Sequence, residues 1–172
     1  MFVLGVDPGL SRCGYGAVAR GTDGSLHAGV AGVIETDPGT DVPERLHLLQ
    51  RELWSLLAEV RPSVVVVERV FFQVNARTAV GVCQASGLAL AAAAEHGCRV
   101  AQYSANEVKQ ALVGYGSATK IQVQKMVASV LRLGSPPRPP DVADALALAV
   151  CHLSGAGLRA ALSDAVGLGG GR

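Results

Sequence analysis

Four carboxylates are placed so that they could act together on a phosphodiester. Asp7 ends the apolar run Phe2-Val-Leu-Gly-Val6, and Glu68 ends the run Ser63-Val-Val-Val-Val67. Asp141 and Asp144 are three residues apart at the start of an apolar helical stretch, hence on one helical face. Like charges gathered closely repel and have raised pKa values unless cations neutralise them, so such a cluster is a poor structural device and a good metal site. An all-oxygen ligand set points to Mg2+ or Mn2+ rather than zinc. Two such ions about 3.5–4 Å apart can activate a water, hold a phosphate and stabilise the leaving 3′ oxygen during in-line displacement. Taken singly, each acid has an ordinary explanation: a turn at Asp7-Pro-Gly9, a solvated strand end at Glu68, and aspartates favoured by a helix macrodipole. The joint pattern, in which an apolar strand twice runs directly into an acid, points to a two-ion site that hydrolyses phosphodiesters.

The elements that must position these residues can be read from patterning. Phe2 to Val6, Gly14 to Ala19 and His27 to Ile34 read as strands of an antiparallel meander. Asp41 is placed to cap a helix with Pro43 in its first turn, and Leu46, Leu49, Leu53, Leu56, Leu57 and Val60 recur at helical spacing until Pro62. Ser63 to Glu68 has no alternation and reads as a central strand buried on both faces. A helix over 77–96, a fifth strand from Arg99 to Tyr103, a short helix opened by the capping box Ser104-x-x-Glu107, a helix over 119–133 and a last helix from Asp141 to Leu153 complete the order. Right-handed crossovers make the first, fourth and fifth strands parallel, so Asp7 and Glu68 emerge at one carboxyl edge of the sheet. The expected architecture is α/β, a ribonuclease-H-like fold with a five-stranded mixed sheet and helices on both faces. Residues 1–154 are expected to form a single domain, and 155–172, ending in Gly-Gly-Gly, a disordered tail.

Composition fits one aliphatic core: of 172 residues 49% are hydrophobic and only 4% aromatic. The net charge of +1 hides a division. Residues 1–98 carry 7 Lys/Arg against 10 Asp/Glu, whereas 99–138 carry 6 against 1, and a basic stretch beside an acidic pocket suits a protein that grips phosphates. Cys13, Cys83, Cys98 and Cys151 form no C-x-x-C pair and have no histidine at zinc-ligand spacing, so they read as reduced core residues. The N-terminal apolar run is too short for a signal peptide and no stretch is long enough to span a bilayer, which makes a cytoplasmic protein with no membrane role the expectation. Gly114-Tyr-Gly-Ser-Ala-Thr-Lys120 lacks the spacing of a phosphate-binding loop, and the chain is too short for the duplicated domain with which actin-like and sugar-kinase folds close over ATP.

At these residues the sequence resembles the RuvC family of Holliday-junction resolvases, from Met1 to about Ser154. The resemblance is carried in order by Leu4-Gly-Val-Asp-Pro-Gly9 with Gly14-Tyr-Gly16, Val67-Glu-Arg-Val-Phe71, Val108-Lys-Gln110, Gly114-x-Gly-Ser-Ala-x-Lys120 and Asp141-Val-Ala-Asp-Ala-Leu-Ala147. It implies a homodimer that binds a four-way DNA junction and nicks two strands of like polarity, in recombination and repair. A branch-migration complex of the RuvA and RuvB type is the partner it implies. Asp7, Glu68, Asp141 and Asp144 would be the catalytic, metal-binding residues. Some relatives carry a histidine where Asp141 stands, which leaves that residue open as ligand or general base. Phe71 aligns with an aromatic of the family and would stack on an unpaired base, worth about 1–3 kcal/mol, with Phe72 packing beneath. Lys109 and Lys120 match basic positions near the scissile phosphate, while Arg69, Arg77 and Lys125 are either contacts to the DNA backbone or solvated surface charges. The small residues between Arg77 and Glu95, among them Gly81, Ala85, Gly87, Ala89 and Ala91 to Ala93, either form the dimer seam or pack that helix closely on its own sheet. Ribonuclease H activity and junction binding without cleavage are the rival functions, the second disfavoured by the intact carboxylates.

Overall fold

The computed structural model describes residues 1–70 and 76–167. Five strands, β1 (Phe2–Asp7), β2 (Arg12–Arg20), β3 (Leu26–Glu35), β4 (Val64–Glu68) and β5 (Arg99–Tyr103), form one sheet in the order β3-β2-β1-β4-β5. β1 pairs antiparallel with β2 and β2 with β3, whereas β1–β4 and β4–β5 are parallel. This is the mixed sheet expected from the crossovers. Among the described residues five helices flank it: α1 (Val42–Val60), α2 (Ala76–Glu95), α3 (Ala105–Val113), α4 (Lys120–Val130) and α5 (Pro140–Gly167).

Alternation along the strands sorts the core into two layers. Leu4, Val6, Cys13, Ala17, Val65 and Val67 pack with Leu49, Leu53 and Leu57 of α1 and with Ala85, Ala89, Ala92 and Ala93 of α2. Val3, Val18, Val64 and Val66 face the other way, toward Val108, Val123, Val127 and the buried stripe of α5 that includes Leu146, Val150 and Leu153. The period of two therefore turns Asp7 and Glu68 toward α3, α4 and α5.

Some boundaries differ from expectation for identifiable reasons. Asp41 holds the N-cap position of α1 with extended backbone, but its side chain makes no capping bond. The second helical residue is Pro43, which has no N–H to offer. α5, expected to stop at Leu153, reaches Gly167 through the stretch read as a tail. Gly155 and Gly157 each cost about 1 kcal/mol against alanine, too little to end a helix that is already nucleated and continues into an Ala- and Leu-bearing segment. The capping boxes behave as read: Ser104 Oγ accepts from the Glu107 N–H and the Glu107 carboxylate accepts from the Ser104 N–H, and Thr119 with Gln122 repeats the arrangement at α4. Cys13 and Cys151 are buried, Cys83 and Cys98 partly so, and none of the four forms a disulfide. Among the described residues no helix is long and apolar enough to cross a membrane.

Candidate active site

Val6 pairs with Val67 across the parallel β1–β4 ladder, so the next residue of each strand, Asp7 and Glu68, stands side by side at its carboxyl end. The third acid arrives from α5, and glycines let it in. Gly5 and Gly16 are cross-strand partners, and Gly14 lies opposite Asp7. A Cβ at Gly5 would overlap the Ala145 carbonyl oxygen, one at Gly14 the Asp141 carbonyl, and one at Gly16 would stand 2.7 Å from Leu146 Cγ. The first turns of α5 thus rest on strand backbone rather than on side chains, and Asp144 is laid against the sheet edge.

Asp7, Glu68 and Asp144 line a cleft of about 310 Å³ together with Lys109 and Lys120, on a floor of Val108, Val123, Ala147 and Leu148. Ala105 and Lys120, the first residues of α3 and α4, also line it, so two capped helices bring their positive ends to the cleft. Lys120 Nζ donates to Asp144 Oδ2 at 2.5 Å. Burial, reinforced by the charges of Glu68 and Asp144, pushes the Asp7 carboxyl up to about 8. Burial also raises Glu68, with the charge of Asp144 adding to it, while its hydrogen bond with Asp7 and the Lys120 ammonium act in the opposite direction. Asp7 and Glu68 therefore share a proton in the free chain. Burial works to lower Lys120, but the hydrogen bond and charge of Asp144, with Asp7 and Asp141 beyond, outweigh it and hold the ammonium above its ordinary value. Cys13, buried on β2, is pushed up to about 12 by burial and by the charges of Asp7 and Asp141, and stays a thiol.

Asp141 stands apart from these three. It does not line the cleft; its carboxylate accepts from Arg12 Nε at 3.2 Å, and Arg12 in turn bonds Glu35. As the side chains stand, no three His, Cys, Asp or Glu among the described residues are close enough to chelate one ion. The donor chemistry nevertheless fits a hard divalent cation: the oxygens of two acids are pressed into sharing a proton, and the third acid is held by an ammonium.

The model of the family described as crossover junction endodeoxyribonuclease RuvC matches residues 3–152. The chain belongs to the RuvC family. A RuvC from Salinispora arenicola is 51% identical over the whole length of both chains. The solved structure of Thermus thermophilus RuvC superposes with a TM-score of 0.85 at 38% identity, covering 92% of this chain and 96% of that one. A second structure, T. thermophilus RuvC in complex with a Holliday junction substrate, gives 0.83 at 35% identity over the same shares. This RuvC family member is accordingly a structure-selective endonuclease that resolves Holliday junctions, a hydrolase of DNA recombination and repair.

The remaining residues singled out from sequence fall in different places in this RuvC fold. Arg69 donates to the Gln102 carbonyl at 3.0 Å and lies 3.6 Å from Glu107, tying the end of β4 to the start of α3. Lys125 is exposed on α4, away from the cleft lining. Phe71 and Phe72 lie outside the described residues, as does the side chain of Arg77 at the start of α2. Sequence reasoning missed Arg12 and Glu35, which no motif flags. The purpose of Gly5, Gly14 and Gly16 is not evident from the motifs that contain them, although glycines repeated at alternate strand positions signal close backbone approach.

Proposed function

We propose that the cleft at the carboxyl edge of β1 and β4 is where the junction strand is cut. Asp7, Glu68 and Asp144, with Asp141 at the rim, would hold Mg2+ or Mn2+, two ions in the working site. The observation that carries this reading is the joining of three carboxylates and two lysines in one cleft. When bound, such cations supply Lewis acidity, a more acidic water and charge for the leaving oxygen. The chain's own groups do the rest. Asp7 and Glu68 give up their shared proton and offer fixed oxygens at one register of the sheet. Lys109 and Lys120 neutralise the phosphate and orient it, aided by the helix starts at Ala105 and Lys120. Water adds to phosphorus, the bond to the 3′ oxygen breaks, and a 5′-phosphate and a 3′-hydroxyl remain. Asp141, at the rim, would ligate or accept the water's proton once its carboxylate leaves Arg12. Phe71, Arg69, Arg77 and Lys125 extend the DNA contact beyond the cleft in this reading.

A homodimer supplies the second site that a two-fold junction requires. α2 supports this. Its buried alanines, Ala85, Ala89, Ala92 and Ala93, pack on the chain's own sheet, which leaves Val80, Gln84, Gly87 and Ala91 exposed along a second face. That face is small and nearly free of charge, as a close helix-to-helix seam needs. The family implies that a branch-migration complex of the RuvA and RuvB type presents the junction.

The test is cleavage of a synthetic four-way junction, matched duplex and RNA–DNA hybrid by wild type and Asp7→Asn, with and without Mg2+ or Mn2+. Paired nicks on the junction alone, dependent on metal and on Asp7, are expected. Metal-independent cutting would remove the cation assignment, and hybrid cleavage would move the substrate. Sedimentation showing only monomer at micromolar concentration would remove the dimer.

A further inference from the structure

At the rim of the cleft Arg12 bridges two acids from different elements. It opens β2 and lies directly across the ladder from Glu35, the last residue of β3. Its terminal nitrogen bonds Glu35 Oε1 at 2.5 Å and its Nε bonds Asp141 Oδ2 at 3.2 Å. A guanidinium held at both ends has little freedom to leave either partner. The consequence appears in the cleft. Asp144 lines it and Asp141 does not, although the two share a face of α5 three residues apart. The backbone of Asp141 is itself seated on Gly14, so the carboxylate's distance from the cleft is set by side-chain direction, and that direction is toward Arg12. In agreement, Asp144 figures among the charges that raise Asp7 and Glu68, whereas Asp141 acts on Lys120 and Cys13 instead.

We propose that Arg12, anchored by Glu35, is a positioning residue that clamps Asp141 outside the cleft and so keeps the acidic set of the free enzyme incomplete for cation binding. The inference rests on the metal-binding reading above. The clamp works in two ways. It directs an oxygen donor away from the ion, and it sets a positive charge beside the place where a dication would sit.

The experiment is titration of the full-length, DNA-free protein with Mn2+, followed by electron paramagnetic resonance of the free ion, at fixed pH and ionic strength. Wild type, Arg12→Gln, Glu35→Gln, Asp141→Asn and the double variant Arg12→Gln/Asp141→Asn are compared, each checked for an unaltered circular dichroism spectrum. Arg12→Gln should tighten Mn2+ binding about 3- to 10-fold, the scale of one partly screened charge with one carboxylate released. Glu35→Gln, which loosens the anchor and keeps Arg12, should move binding in the same direction by less. In the Asp141→Asn background the Arg12 substitution should bring little or no gain. Unchanged or weaker binding in Arg12→Gln overturns the clamp. An equal gain with and without Asp141 also overturns it, because the effect would then be charge removal alone. Absence of any Mn2+ binding that Asp7→Asn abolishes would instead refute the metal reading, a result distinguishable from failure of the clamp.

Discussion

The two faces of the sheet bury apolar surface by different means. Toward α1 and α2 the contact is side chain on side chain: Leu4, Val6, Val65 and Val67 meet Leu49, Leu53 and Leu57, with alanines filling the gaps. Toward the first turns of α5 the strands present Gly5, Gly14 and Gly16, and the helix rests on them, while Val3, Val18, Val64 and Val66 meet the later turns side chain on side chain. The first arrangement spreads its energy over many replaceable contacts. The second gives up side-chain burial for position, since a helix seated on backbone has no side-chain layer through which to slide. The carboxylates are on the second face. A site that needs acids from two strands and a helix within reach of one ion is built where the helix cannot drift, and the aliphatic face supports it from behind.

This division predicts where substitutions harm chemistry and where they harm only stability. The largest effect is expected at Asp7. Asp7→Asn should lower junction cleavage by at least on the order of 100-fold, yet the metal-free variant should be more stable than wild type by about 1–2 kcal/mol near pH 8. It keeps the hydrogen bond to Glu68 without a charge to bury. Single-turnover cleavage and urea melts of the same preparations would show this. A variant both inactive and destabilised would mean that Asp7 holds the fold rather than the phosphate.

Next in size is the contrast between the faces themselves. Gly5→Ala places a methyl against the Ala145 carbonyl and should cost about 3 kcal/mol or more. The molecules that still fold should cleave poorly, because α5 must lift and carry Asp144 with it. Leu53→Ala, 1% exposed on the opposite face, should cost a similar 2–5 kcal/mol or so while the folded fraction keeps its turnover rate. If both variants lose turnover equally, the seating of α5 has no special part in the site.

These comparisons also mark what can be read from sequence. The ends of β1 and β4 were legible because an apolar strand that stops at an acid is rare enough to notice, and the capping box at Ser104 and Glu107 located α3 because it is a local device. The destination of Asp141 was not legible, since its partner Arg12 is 129 residues distant in the chain and nothing in either neighbourhood announces the pairing. Asp41 was readable as a cap position but not as an idle side chain, which depends on the missing N–H of Pro43. The far end of α5 was obscured by Gly155 and Gly157, whose small local cost the rest of the helix overrides. Local signals survive in the sequence, and contacts set by tertiary approach do not.

A smaller effect follows from protonation. The folded-state Asp7 carboxyl titrates at about 8 against an ordinary 3.8. The native state therefore prefers the protonated form, so the stability this group contributes is complete below about pH 4 and is lost as pH rises through 8. Metal-free wild type should lose stability over that window with a slope of up to about 1.4 kcal/mol per pH unit from this pair. Saturating Mg2+, which replaces the shared proton, should flatten the slope, and Asp7→Asn should flatten it without metal. Thermal melts at pH 5, 6.5 and 8 with and without Mg2+ would decide this. A slope unchanged by both metal and substitution would place the titrating group elsewhere.

The smallest difference concerns which side of the molecule DNA touches. Lys109 lines the cleft on the α5 side, whereas Arg51 lies on α1, on the opposite face, paired with Glu52 at 3.0 Å. Both are single positive charges on helices, so a chain that attracted DNA only through overall charge would feel their loss equally. If the glycine-seated face is the one that grips the junction, Lys109→Ala should reduce the log–log salt dependence of junction binding by about 0.9, the loss of one phosphate contact. Arg51→Ala should leave it within error. Fluorescence anisotropy with Ca2+ in place of Mg2+, across about 50–200 mM salt, separates the two. Equal reductions would show that the aliphatic face also contacts DNA, and the division of labour between the two faces would then stop at catalysis.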